Sequence, residues 1–513
     1  MREIKDYSKT LIIKADTPGL QYDINGILKS FYPEIEVRVL TMDDNWEVAE
    51  AVHDEEMLKE PTCMDVKLEE QKLVVYFLPD VINDKTSGEA LREFVYEVDE
   101  ELGNKNTFKR FFYDAMCELT GRYLPWGNLT GIRPTKIVKN LIEAGNTEAE
   151  IRIKMQNFHR ISEEKLDLSL DIARREISLL SRLDYNSGYS LYIGIPFCPT
   201  TCLYCSFTSY PIAAWSKRID EYLDALELEL KYVAYEYSMN GLSKKHPDTI
   251  YIGGGTPTSL DESHLERLLE MITSNIDISS SIEFTCEAGR PDSITPEKLR
   301  IMKKYGVTRI SVNPQTMQQK TLDLIGRKVS VAQIEDSFYA AREAGHDNIN
   351  MDIILGLPGE TELEVEDTLS KIARMNPDSL TVHSLAIKRA SALKKRLDEI
   401  GIDALKNTDT TMSLAENTAR SMAMNPYYLY RQKNMSGNFE NVGYAKEGKA
   451  GIYNILIMEE VQTIIACGAG TVTKRVYPDG RIERSENIKD VALYIEKIDE
   501  MIERKRTLFS DEN

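Results

Sequence analysis

Two rhythms of apolar positions run along this chain. Near the N-terminus, β-branched and polar residues alternate over Leu11–Lys14, Ile35–Leu40, Met64–Leu68 and Lys72–Leu78. A period of two predicts half-buried strands. Helical periodicity follows over Glu89–Leu119, then over Lys136–Glu143 and Glu163–Ser181. Between these helices the stretch Leu124–Lys136 (LPWGNLTGIRPTK) has no period. Its two prolines and two glycines predict a shaped loop.

The rhythm changes near residue 190. Short apolar strands are expected at Leu191–Ile195, Thr249–Gly253, Ile282–Glu287, Thr308–Asn313, Asn348–Ile354 and Ser379–Leu385. Amphipathic helices alternate with them at Arg218–Tyr235, Ser263–Ser274, Pro296–Tyr305, Val331–Ala344 and Leu363–Met375. Repeated strand–helix units predict a parallel sheet curled into a partial (β/α)6 barrel. In such barrels chemistry gathers at the C-terminal ends of the strands. The remaining residues mix helices with the tyrosine-rich run Tyr427–Tyr430 and the pair Gly468 and Gly470. The chain is therefore α/β. An N-terminal α+β domain is expected over 1–184, the partial barrel over 185–387 and a C-terminal mixed domain over 388–513.

Length agrees, since 513 residues correspond to about three domains. With 63 Lys and Arg against 83 Asp and Glu, the net charge is −20. That excludes a broad nucleic-acid-binding surface. It leaves room for a local basic pocket, because net charge does not fix local field. The opening MREIKDYSKT lacks an apolar core, and no run of about 18 apolar residues occurs. The expectation is a cytoplasmic protein with no membrane span and reduced thiols. Seven cysteines at this length do not make a disulfide scaffold.

Three of the seven crowd together. Cys198-Pro-Thr-Thr-Cys202-Leu-Tyr-Cys205 follows the first barrel strand directly. Three thiolates on one loop suit a [4Fe–4S] cluster with one iron left open. Structural zinc normally takes four protein ligands; it stands as the alternative. Cys63, Cys117, Cys286 and Cys467 are expected to be buried small apolar residues. Gly253-Gly-Gly-Thr-Pro-Thr258 follows the second strand, and a glycine run lets backbone approach a ligand. Glu287, Gln315 and Asp352 fall at or near strand ends, and Arg327 lies in Gly326-Arg-Lys328. Each of these alone is as well explained as a structural polar group. His383, in the last strand, is a further candidate.

The triad is the signature of the radical S-adenosylmethionine (SAM) enzymes, and Tyr204 matches the aromatic that precedes their third cysteine. The barrel constellation resembles the coproporphyrinogen oxidase branch of that superfamily. Tyr192-Ile-Gly-Ile-Pro-Phe-Cys198 resembles the opening motif of the branch. The flanks Leu124–Lys136, Tyr428-Leu-Tyr-Arg-Gln-Lys433 and Asn441-Val-Gly-Tyr444 resemble its HemZ type. The resemblance implies that Cys198, Cys202 and Cys205 hold a [4Fe–4S] cluster whose open iron binds SAM. Reductive cleavage of SAM then gives a 5′-deoxyadenosyl radical. It places Tyr192 beside cluster and sulfonium, and makes Gly254, Gly255 and Thr256 part of the motif receiving the SAM amino group. Glu287, Gln315, Arg327 and Asp352 are implied to bind the SAM amine, ribose and carboxylate.

The implied reaction is oxidative decarboxylation of two propionates of coproporphyrinogen III to vinyls, giving protoporphyrinogen IX. The implied electron donor is ferredoxin or flavodoxin. Arg133, Lys136, Lys388, Arg389, Arg431 and Lys433 are candidates for holding a tetracarboxylate. Two positions depart from the branch. Gly194 stands where better characterised members carry histidine, and Ser206-Phe207 replaces a further cysteine. The Cys-x-Phe ending is shared with the haem chaperone HemW. A haem-binding chaperone, or a radical SAM enzyme on another substrate, is the alternative.

Overall fold

The computed structural model describes residues 10–15, 19–32, 36–41, 64–69, 72–77, 92–97, 103–131, 133–205, 209–237, 244–386, 391, 393, 405, 407–432 and 439–510. It divides into two compact units, residues 1–173 with 431–438, and residues 174–430 with 439–513. Cys63, Ser206, Phe207, Lys388, Arg389 and Lys433 lie outside the described residues.

The first unit is built on a five-stranded sheet of β1 (Thr10–Ala15), β2 (Glu36–Thr41), β3 (Met64–Glu69), β4 (Lys72–Phe77) and β5 (Arg92–Glu97), in the order β2-β1-β3-β4-β5. β1 pairs in parallel with β2 and β3, and β3-β4-β5 form an antiparallel meander. Helical periodicity predicted a helix from Glu89. The structure instead pairs Arg92–Glu97 with β4 and starts the helix at Gly103. Ladder partners supplied from elsewhere in the chain override local periodicity.

Two helices were not anticipated. Gln21–Phe31 makes the crossover between β1 and β2 and buries Ile24, Ile27, Leu28 and Phe31. Glu148–His159 opens on a Thr147–Glu150 capping box, which satisfies two orphan backbone donors. The Pro/Gly-rich stretch is a packed loop, as expected. Trp126 is buried, the backbone N–H of Leu124 donates to the Tyr113 hydroxyl at 2.8 Å, and that of Asn128 to the His159 carbonyl at 3.0 Å.

The second unit carries the barrel. β6 (Gly188–Ile195) runs into a short ribbon, β7 (Phe197–Cys198) with β8 (Tyr210–Pro211), which closes the base of the cysteine loop. β9 (His246–Gly254), β10 (Glu283–Cys286), β11 (Arg309–Ser311), β12 (Ile349–Leu355) and β13 (Ser379–Ser384) follow. With β6 they form six parallel strands in sequence order. Between them lie the helices Ile219–Tyr237, Glu262–Asn275, Pro296–Lys304, Val331–Glu343 and Glu362–Met375. Their buried leucine, isoleucine and phenylalanine faces cover the sheet. Each such side chain fully buried is worth about 1.5–3 kcal/mol.

The sheet continues beyond the barrel. β14 (Asn425–Tyr430) and β15 (Asn441–Ala445) extend it antiparallel past β13. β16 (Ile464–Cys467) adds in parallel beside β6, followed by β17 (Val472–Val476) and β18 (Ile482–Glu486). All eleven strands form one sheet. The tyrosine run is therefore strand, with Tyr427 and Tyr428 buried.

Candidate active site at the cysteine loop

The three clustered cysteines occupy the loop that leaves the C-terminal end of β6. The loop is fastened at several points. The backbone N–H of Leu203 donates to the Ile325 carbonyl at 3.0 Å, and the Thr200 hydroxyl to the Gly326 carbonyl at 3.3 Å. The Cys198 thiol lies 3.4 Å from the Thr256 hydroxyl, tying the loop to the glycine run. Burial pushes the Cys198 thiol up, while its bonds to Thr256 and Ser209 pull it back. Among the described residues no three His, Cys, Asp or Glu side chains converge as a ready-made cage for an ion. The loop carries three soft sulfur donors, and among the described residues no fourth His, Cys, Asp or Glu joins them. That is the donor set of an iron–sulfur cluster with one open iron, not of a closed tetrahedral zinc site.

The glycine run sits against this loop. The N–H of Gly255 donates to the Ile195 carbonyl at 2.8 Å, and that of Thr256 to the Phe197 carbonyl at 2.7 Å. A Cβ on Gly255 would fall 2.5 Å from the Phe197 carbonyl oxygen, so only glycine permits this approach. The N–H of Gly254 donates to the carboxylate of Glu287 at the end of β10. The hydroxyl of Tyr251 donates to the same carboxylate at 2.5 Å. Burial pushes the Glu287 carboxyl up to about 7, with Asp352 adding to the rise and the Tyr251 bond and Arg309 opposing it. Tyr192, Tyr251 and Tyr453 stack beside it, with ring centroids 4.5 to 6.0 Å apart.

Gln315 and Arg327 come to the same mouth. Gln315 is 7% exposed and has φ of +68°, a conformation disfavoured for a side chain with a Cβ. Its backbone bridges β12, accepting from Ile354 and donating to Asp352, both at 2.9 Å. Arg327 is buried, donates to the carbonyls of Asn313 and Gly289, and meets Tyr204 and Cys202. Three buried polar atoms here, Oδ1 of Asn313, Oε1 of Gln315 and Nε of Arg327, have no partner. Buried polar groups are nearly always satisfied. Orphans of both signs beside a thiol loop fit a zwitterionic, hydroxyl-bearing ligand such as SAM.

Asp352, on β12, is held by Asn350 Nδ2 at 2.6 Å, with His383 Nε2 at 3.8 Å from its other oxygen. Burial pushes its carboxyl up, but the His383, Asn350 and Thr381 contacts outweigh it and hold the group low. The Tyr430 hydroxyl lies 3.4 Å from His383 Nδ1, completing a Tyr–His–Asp line across β14, β13 and β12. Cys286 alternates away from the mouth and is buried, as are Cys117 and Cys467.

The structure thus brings Tyr192, Cys198, Cys202, Tyr204, Gly254, Gly255, Thr256, Glu287, Gln315, Arg327 and Asp352 to one end of the barrel, and Cys205 lies on the same loop as Cys198 and Cys202. The substrate candidates are placed differently. Arg431 belongs to the first unit, where its guanidinium donates to the Leu129 carbonyl at 2.5 Å and lies over Trp126. Arg133 and Lys136 stand in that unit too, just before and within the helix Thr135–Glu143. Arg290 was missed. It donates to Cys202 from 88 residues away, a contact that no local motif announces.

A partial barrel with a three-cysteine loop after its first strand and a glycine run after its second defines a radical SAM protein. The superfamily model, "Radical SAM superfamily", matches residues 192–372. A Bacillus subtilis (strain 168) protein, "Oxygen-independent coproporphyrinogen-III oxidase-like protein HemZ", is 39% identical over 404 residues, 78% of this chain and 80% of that one. The chain belongs to this HemZ family of radical SAM proteins. The B. subtilis "Heme chaperone HemW" is 41% identical over 203 residues, 39% of this chain and 51% of that protein. The solved structure titled "Coproporphyrinogen III oxidase (HemN) from Escherichia coli is a Radical SAM enzyme" is 22% identical, covers 63% of this chain and 73% of its own, and has a TM-score of 0.49.

The cofactors are a [4Fe–4S] cluster and SAM. No helix among the described residues is long and apolar enough to cross a membrane.

Proposed function

We propose that the chain is an oxygen-independent coproporphyrinogen III dehydrogenase, which converts two propionates to vinyls and yields protoporphyrinogen IX. The observation that carries this is the match to the HemZ relative across 80% of that protein's length, flanks included. SAM, when bound, would supply a hydrogen-abstracting species on one-electron reduction. The chain's own groups do the rest. Cys198, Cys202 and Cys205 anchor the cluster. Gly255 and Thr256 form a backbone wall, held to β6 and β7, along which the amino group of SAM docks. Glu287, kept partly protonated near neutral pH, ionises as that cation arrives. Arg327 takes the carboxylate through its unpartnered Nε, and Asp352 and Gln315 accept from ribose hydroxyls. Tyr192, stacked on Tyr251 and Tyr453, excludes water from the reacting side. A low-potential ferredoxin or flavodoxin supplies the electron for SAM cleavage, and each propionate, having lost a β-hydrogen atom, releases CO2 and passes one electron to an external acceptor to leave the vinyl.

Anaerobically reconstituted protein with SAM, a reductant and a one-electron acceptor should turn coproporphyrinogen III into protoporphyrinogen IX. If SAM is cleaved and the porphyrinogen keeps its carboxylates, the proposal fails. A second reading, a haem chaperone, is favoured by the 41% identity to HemW over 203 residues. Stoichiometric haem uptake and transfer without turnover would select it.

A further inference from the structure

The Cys202 sulfur takes hydrogen bonds from two cationic side chains, Arg290 and Arg327. Arg290 follows β10 and is 3% exposed. Its Nη1 donates to the Cys202 sulfur at 3.4 Å and to the Thr200 carbonyl at 3.1 Å, while Nη2 donates to the Thr200 hydroxyl at 3.1 Å. Asp292 grips the opposite edge, taking Nε at 2.9 Å and Nη2 at 2.7 Å. This fork leaves the guanidinium one orientation, with its Nη1 corner on the sulfur and its counter-charge behind it. Arg327 meets the same sulfur from the other side, but its carbonyl partners hold it for the orphan-lined mouth. Arg290 is held instead to the cysteine loop, at Cys202 and Thr200, and its charge also acts on Cys198.

We propose that Arg290 sets the reduction potential of the cluster. An N–H donor and a positive charge at a ligand sulfur favour the reduced state, which carries one more negative charge. The step is a single electron passing from a low-potential donor to the cluster. Arg290 stays charged throughout, and no proton moves. Asp292, nearer the guanidinium than the sulfur, aims Arg290 and partly offsets its charge. The proposal rests on the cluster and not on the identity of the substrate, so it stands or falls separately from the dehydrogenase reading.

The test is an EPR-monitored redox titration of the reconstituted full chain, without substrate, in wild type, Arg290→Met, Arg290→Lys and Asp292→Asn, with iron and sulfide assayed alongside. Arg290→Met should move the midpoint to more negative potential, and Arg290→Lys should move it less. Asp292→Asn should move it the opposite way, because a negative charge is lost. A residue that merely braces the loop would not give shifts of opposite sign. An unchanged midpoint in Arg290→Met overturns the proposal, as does a shift of the same sign in Asp292→Asn. Should Arg290→Met hold no iron, the sign of the Asp292→Asn shift decides, and an unchanged or lowered midpoint there refutes the role.

Discussion

The carboxyl of Glu287 gives a sharp test of how the barrel mouth is built. It is pushed from an ordinary 4.5 up to about 7, chiefly by burial. At 1.36 kcal/mol per pH unit, that difference is worth about 3 kcal/mol. The folded chain binds this proton more tightly than the unfolded chain, so stability falls as pH rises from 4.5 through 7. Below 4.5 both states are protonated and nothing is lost. Glutamine never ionises, so Glu287→Gln keeps the low-pH situation at every pH. Urea unfolding midpoints of the second unit, measured for wild type and variant from pH 4.5 to 8.5, isolate the effect, since titrating groups not coupled to Glu287 cancel in the difference. The variant should gain on wild type through this window, by up to about 3 kcal/mol, and the difference should level off above 7. A difference that is flat with pH would show that the carboxyl ionises at its ordinary value and that the mouth is wetter than its packing indicates.

Replacing Cys198, Cys202 and Cys205 together by Ala should leave no bound iron or sulfide in anaerobically reconstituted protein, read by elemental analysis. Lys505→Met should cost about 3–5 kcal/mol in the unfolding midpoint, because Lys505 is buried 2.5 Å from the equally buried Glu229 and its loss strands a carboxylate in the core. Gln315→Gly should relieve the positive φ and leave the fold as stable or more so, while weakening SAM binding measured by calorimetry. Gly194→Ala should destabilise the chain by about 1–3 kcal/mol, and adding Thr471→Ser should recover most of it, since the new Cβ would meet only the Thr471 methyl at 2.5 Å. Thermal unfolding of the four proteins in that cycle checks the coupling.

The barrel was legible because its strands and helices announce themselves by periodicity, and the cysteine triad because three thiols within eight residues need no long-range information. The strand ends pointed to Glu287 and Gln315, while Asp352 falls in the middle of β12. What stayed hidden depends on partners far away in sequence. Arg92–Glu97 is a strand because β4 pairs with it. Arg431 is a plausible anion binder by composition, yet its charge is engaged with the Leu129 carbonyl and the Trp126 face. Arg290 looks like any loop arginine until the fold carries it to Cys202. Substrate residues were the least legible for the same reason, because single basic side chains carry no period and no spacing.

The departure at Gly194 has a physical origin in the same long-range packing. β16 lies in parallel beside β6, and the turn that follows it returns over Gly194. A Cβ there would strike the Thr471 methyl, and the Gly194 carbonyl accepts from Tyr222 at 2.6 Å. Tyr222 also receives the N–H of Ala469 at 3.2 Å. Behind this turn a buried network fixes its position. Glu229 accepts from Gly468, Asn487, Tyr494 and Lys505, all within 2.8 Å. An imidazole at 194 and this turn exclude one another, so the C-terminal strands allow no bulky side chain there. The constraint does not extend to the rest of the mouth, where the glycine run, Glu287 and the orphaned atoms of Asn313, Gln315 and Arg327 converge. Unpaired buried groups and a positive φ at Gln315 are costs that a ligand bound at the mouth would offset.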